Sequence, residues 1–234
     1  MEEIFPFIMF GGIVTLIIAL TAYTYYAAKK RAEAMAAIAP RMGFTYKAIA
    51  SEIKKEYGHL NIFSRGHSQK VINCLQGEKN GIEVSMADYH YTVGSGKHST
   101  RYTQTICIIK DPSFDLPNFY VRRESKFFDY LGKLFGGQDI NFPEDDRFSS
   151  AFVLQSKAEA ETRHLFNDRV REAFLKFTGT NSQIEGQGNS IILHKGTIAK
   201  PEELSLLLKD TFDVYNAIKA RDTDPAVAEI LESF

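Results

Sequence analysis

The sequence predicts an α+β domain, an antiparallel β-meander with packed helices, preceded by one N-terminal transmembrane helix. Three observations carry this. Residues 4–28 contain no charged side chain. The turn signals Asn80-Gly81 and Gly94-Ser95-Gly96 separate three apolar strand patterns, with no room between them for crossover helices. Short helices and strands mix only later, and a long helix opened by Pro201 follows. That order suits α+β rather than alternating α/β. At 44% hydrophobic and 24% charged residues, the composition is globular.

The first element is the apolar run. A helix rises about 1.5 Å per residue, so residues 4–28 reach roughly 37 Å, enough to cross a hydrocarbon core of about 30 Å with some tilt. A cleaved signal peptide needs a basic n-region and a shorter apolar stretch. Here Glu2 and Glu3 precede the run, and Tyr23, Tyr25 and Tyr26 close it as an interfacial aromatic belt. Lys29, Lys30 and Arg31 follow at once as membrane-orienting charges. The positive-inside rule places the body in the cytoplasm, on a single-pass protein of the inner (plasma) membrane. Within the run, Gly11, Thr15 and Ala19 recur every four residues, spacing that lets two copies approach in a weak homodimer.

The mean hydropathy of −0.22 excludes a multi-spanning protein. All 28 Lys and Arg follow the span, and of the 29 Asp and Glu only Glu2 and Glu3 precede it. The remainder is close to neutral, which argues against nucleic acid as a partner. The two cysteines, Cys74 and Cys107, are too few to staple a secreted domain. Both fall in strand patterns two strands apart, about 9.5 Å, which is beyond disulfide reach.

The remaining elements follow in order. Residues 29–39 are helix formers that extend the span as a stalk until Pro40, and globular folding begins at Gly43-Phe44. The division is thus 1–28 anchor, 29–42 helical stalk and 43–234 α+β domain. Strands are predicted at 70–76, 82–93 and 101–109. Centring the turns pairs Leu75 with Met86, Val93 with His98 and Val84 with Cys107. One face then carries Val71, Leu75, Ile82, Val84, Met86, Cys107 and Ile109. The other carries Ile72, Cys74, Tyr89, Tyr91, Tyr102, Ile106 and Ile108, so both faces need cover. Further on, the pattern predicts a strand at 119–121, a helix at 126–135 and a strand at 151–154. Ser156-Lys157-Ala158-Glu159 reads as a capping box for a helix to about Phe166, and Asn167 as the cap of the next. A hairpin turns at 187–189, a helix runs from Pro201 to about Ala220, and a short tail helix follows Pro225.

The sequence carries few motifs for chemistry. Val93 to Ser99 lacks the first glycine and the Ser/Thr of a phosphate-binding loop, and it joins two strands rather than opening a helix. Glu144-Asp145-Asp146 lacks the alternating ligands of a calcium loop. No pattern for a metal, a cofactor or a serine nucleophile is present. One polar patch stands out. Asp88 and His90 share a strand face, and the estimated register puts Arg101 and Thr103 opposite them. It is read as a cross-strand pair, with a binding site as the alternative.

Several stretches carry a resemblance: Arg65-Gly66-His67-Ser68, Gly77 to Gly81, Asp88-Tyr89-His90-Tyr91-Thr92, Gly94-Ser95-Gly96, Leu116-Pro117, Asp139 to Phe142, Arg147-Phe148-Ser149 and Glu185 to Gly188. As a set it resembles a family of uncharacterised bacterial proteins with one N-terminal membrane helix and a single α+β soluble domain. The resemblance implies the anchor and the single domain, and it transfers no catalytic or binding residue.

The sequence thus reads as a membrane-anchored cytoplasmic interaction or scaffold domain without catalysis. A small-molecule or lipid-binding module is the first alternative. An enzyme built around Asp88, His90 and Arg101 is the second.

Overall fold

The computed structural model describes residues 5–124 and 138–220. The helices expected at 126–135 and after Pro225 lie outside the described residues. Phe5–Ile38 is one uninterrupted helix, α1. Its 34 residues span about 51 Å. A 3-10 turn, Ala39–Met42, follows, with Pro40 in its first positions where no backbone N–H is needed, and Gly43 closes it at φ 74°.

Among the described residues nine strands form one antiparallel sheet. They are β1 (Thr45–Ile49), β2 (His67–Lys79), β3 (Ile82–Val93), β4 (Thr100–Lys110), β5 (Leu116–Arg123), β6 (Gln138–Asp139), β7 (Phe152–Ser156), β8 (Gln183–Gly188) and β9 (Ser190–His194). Their order across the sheet is β1-β2-β3-β4-β9-β8-β5-β7-β6. Five further helices pack on it: α2 (Ser51–Glu56), α3 (Asp146–Ala151), α4 (Glu159–Leu165), α5 (Asp168–Phe174) and α6 (Leu204–Lys219).

Both sheet faces are covered, as the apolar pattern demands. Leu75, Ile82, Val84, Met86, Cys107 and Ile109 share the first face with Phe119, Leu154, Ile184 and Leu193. The end of α1 lies on this face through Met35, Ala39 and Met42, and α6 through Leu204, Leu207, Leu208, Phe212 and Tyr215. The α6 residues recur at helical spacing and so form one apolar stripe. The second face carries Cys74, Tyr89, Tyr91, Ile106 and Ile108 beneath Ile53, Tyr57, Leu60, Ile62 and Phe63.

Several sequence expectations need correction. Residues 29–42 do not stand off as a stalk, because Met35 and Ala39 have no exposed surface and belong to the core. The domain therefore begins inside α1, not at Gly43. β1, α2, α3 and β6 went unpredicted, being short and weakly patterned. Val71 lies on the second face, because Asn73, at φ 51°, makes a bulge between Ile72 and Leu75 and inverts the alternation before it. Val93 pairs with Thr100 and Val84 with Ile109, since a 3-10 turn at Gly96–His98 lengthens the hairpin loop. That slip is two residues, so the faces survive it. Ser156 ends β7 rather than capping α4. Its hydroxyl instead donates to the Asn118 carbonyl at 2.7 Å and accepts from Thr162 at 2.8 Å. Asn167 does cap α5, accepting from the Val170 N–H at 3.1 Å.

Candidate functional site

Asp88 lies in the middle of β3 on the first face, 1% exposed. Burying a lone carboxylate is costly unless it is paired and hydrogen-bonded. Here Arg31 of α1 reaches it with Nε on Oδ2 and Nη2 on Oδ1, both at 2.6 Å. Asn73 Nδ2 donates to Oδ2 at 2.9 Å, and Thr105 Oγ1 donates to Oδ1 at 3.0 Å. The bulge at Asn73 is what turns that amide toward the first face, and the Tyr46 hydroxyl steadies it by donating to Asn73 Oδ1 at 3.0 Å. Arg31 also donates to the Ala199 carbonyl at 2.9 Å. One carboxylate thus ties α1, β1 through β4 and the loop before α6 together.

This geometry revises the polar patch. The arginine partner of Asp88 is Arg31, not Arg101. Arg101 pairs in register with Thr92, Thr103 with His90 and Thr105 with Asp88. His90 Nδ1 lies 3.0 Å from Thr103 Oγ1. Burial lowers the His90 pKa, Arg101 adds to the effect, and Asp88 opposes it. A carboxylate offers about four lone-pair sites. The four donors on Asp88 occupy them, so the arrangement is a structural joint rather than an open ligand or base. Lys29 and Lys30 remain exposed, with Lys29 Nζ 3.9 Å from Glu33. Thr15, in the small-residue repeat, turns its hydroxyl back onto the Gly11 carbonyl at 2.8 Å.

A second polar cluster lies on the other face. Glu185 accepts from the Ile62 N–H at 3.2 Å and from Arg65 Nη2 at 3.3 Å. Burial raises its pKa. The Arg65 guanidinium lies 5.4 Å from the Tyr120 ring centre, and the Tyr120 hydroxyl donates to Gln183 Oε1 at 2.5 Å. Opposite Gln183 stands His194, 1% exposed, with neither ring nitrogen bonded among the described residues. Burial, with Arg65 assisting, pushes its pKa down to about 3 and keeps the ring neutral. The cluster pins residues 61–65 to the sheet, helped by the Tyr89 hydroxyl on the Ile62 carbonyl at 3.3 Å. The sequence offered one signal for it, a lone charged residue, Glu185, in a short strand.

Both cysteines are free and buried, on opposite faces. Burial pushes each thiol up to about 12, which leaves neither as a nucleophile at neutral pH. Among the described residues no group of three or more His, Cys, Asp or Glu converges on a metal position. The acidic triplet is occupied by the chain's own cation: Arg171 Nε meets Asp145 at 3.0 Å and Arg171 Nη1 meets Glu144 at 3.5 Å.

No family model and no curated protein sequence matches the chain. Among solved structures it is similar to the crystal structure of the mycobacterial trehalose monomycolate transport factor A, TtfA, with a TM-score of 0.55 and 10% identity. The match covers 80% of this chain and 93% of that one. At that identity the likeness is one of fold: this chain shares with TtfA an α+β architecture, here joined to one apolar helix long enough to cross a membrane.

Proposed function

We propose that the protein is a single-pass membrane protein whose domain works at the cytoplasmic face of the inner membrane as a non-catalytic interaction module in lipid handling. The observation that carries this is the Arg31–Asp88 clamp. It makes the apolar helix and the sheet one body, so the domain moves with its span and the tilt of the span sets how the sheet meets the bilayer. A catalytic unit tethered by a flexible linker has no need of such a joint. Lys29, Lys30 and Arg31 support the cytoplasmic placement, since orientation is set as the span inserts, before Asp88 is folded to receive Arg31. The likeness to a trehalose monomycolate transport factor supports a lipid-related process over the other roles a scaffold serves.

Alkaline carbonate washing of membranes tests the anchor, and the protein is expected to stay in the pellet. A C-terminal phosphatase fusion that needs export is expected to be silent, and a C-terminal fluorescent fusion bright. Release into the wash would overturn the anchor, and an active phosphatase fusion would overturn the placement.

A further inference from the structure

The direction of α1 relative to the sheet can be read from its two attachments. Phe44 bonds back to the Ala39 carbonyl, and its ring lies where a side chain on Gly77 would stand, 2.6 Å from that position. Gly77 pairs with Val84. Residue 39 is therefore level with Val84, and residue 31 is level with Asp88. The helix covers about 12 Å between these points and the strand about 13 Å. α1 thus runs antiparallel to β3, and the β3–β4 hairpin points toward the apolar end of α1. From Asp88 to Val93 the strand continues about 17 Å, as far as roughly eleven residues of helix, which ends level with Leu20. Lys70, beside His90, and Arg101, beside Thr92, therefore stand at the heights of about residue 27 and about residue 22, on either side of the Tyr23 to Tyr26 belt.

The composition of this end is one-sided. No carboxylate occurs between Asp88 and Asp111, nor between Glu56 and Glu78. Asp88 is consumed by Arg31. Lys70, Lys97 and Arg101 are exposed and form no ion pair among the described residues. Lys70 pairs in register with His90, and Arg101 with Thr92, so both face the α1 side. The tip also exposes Val93 and Tyr102, each 41%. It is stiff. Tyr89, Tyr91 and Tyr102 stack at 5.4 and 5.1 Å between centres. His67 Nε2 lies 2.9 Å from the Gly94 carbonyl. Gly66, at φ 62°, lets β2 press on the Thr92 carbonyl where a side chain would collide.

We propose that this end of the sheet is a second membrane contact, seated on anionic lipid headgroups. The inference rests on the anchored reading. Lys29 and Lys30 alone fall short of the 4–8 cations of an anionic-lipid site. Folding removes Arg31 from that count and brings in Lys70, Lys97 and Arg101, which raises it into range. Val93 and Tyr102 add an amphipathic edge suited to the interface. At about 1 kcal/mol per cation, three cations shift the seated-to-lifted ratio of the tip by about 150-fold in favour of seating.

The test uses the full chain in lipid nanodiscs, with a fluorophore on Ser95→Cys at the tip or on Asn80→Cys at the opposite end of β3. Buried Cys74 and Cys107 leave the added thiol as the labelling site. Headgroup-spin-labelled lipid should quench residue 95 and leave residue 80 bright in discs with a third phosphatidylglycerol. Lys70→Gln, Lys97→Gln and Arg101→Gln together should abolish that quenching, as should 1 M salt or wholly zwitterionic discs. Equal quenching at residues 95 and 80, or quenching indifferent to lipid charge and to the triple substitution, would overturn the proposal. Failure of the chain to enter discs at all would instead refute the anchor.

Discussion

Replacing Asp88 by Ala is the most informative single perturbation. It removes the acceptor of four hydrogen bonds and leaves the Arg31 guanidinium and the Asn73 amide without their main partner. Removing one member of a buried ion pair costs about 3–5 kcal/mol. Arg31 keeps its bond to Ala199, and its side chain is 19% exposed, so the lower end applies: about 3 kcal/mol. For a domain of this size that is a fall in Tm of about 10 °C. Asp88→Asn keeps the shape and should cost less. Arg31→Met with Asp88→Leu removes both charges together and should recover most of the loss. The assay is thermal unfolding of the full chain in detergent, with limited trypsin digestion read by mass spectrometry. Cleavage after Arg31 should be slow in the native protein and fast in Asp88→Ala. A Tm within 2 °C of the parent, with cleavage after Arg31 unchanged, would refute the claim that this clamp joins helix to sheet.

Other outcomes follow from the two polar clusters. His194 is neutral in the folded chain, with a pKa near 3 against about 6.5 unfolded. The unfolded chain therefore binds the extra proton, and the folded state loses stability as pH falls from 6.5 toward 3, by about 2 kcal/mol at pH 5. His194→Gln should flatten that slope in denaturant titrations at several pH values. Glu185, raised by burial, acts with the opposite sign but is common to both proteins. An unchanged slope would mean that His194 is not the group responsible. His90→Ala should cost less than about 1 kcal/mol, because its polar contact is the one with Thr103. A larger loss, or stoichiometric metal in the purified protein that disappears with this substitution, would revive His90 as part of a binding site.

The sequence by itself determined the elements whose signals are local. Twenty-five consecutive residues without a charge specify a helix able to span a membrane. Asn80-Gly81 fixes a turn through its own backbone preferences, and Lys79 opposite Ile82 follows from it. Alternating apolar residues in 82–109 announced a sheet covered on both faces. What it left open was everything set by contacts distant in the chain. Asn73 reads as an ordinary strand residue, yet its left-handed backbone shifts Val71 to the other face and delivers an amide to Asp88. Arg101 looked like a cross-strand partner for Asp88 and His90 because the true loop was two residues longer than the turn signal implied. Arg31 read as one of three membrane-orienting charges because it directly follows Lys29 and Lys30. Its partner is 57 residues away, and only the packing of α1 across β1 to β3 brings the two within 2.6 Å. A buried carboxylate takes whichever cation the tertiary fold presents, and spacing along the chain does not encode that choice. The same packing decided which end of the sheet lies toward the apolar half of α1, since the direction of α1 over β3 exists only once both are folded.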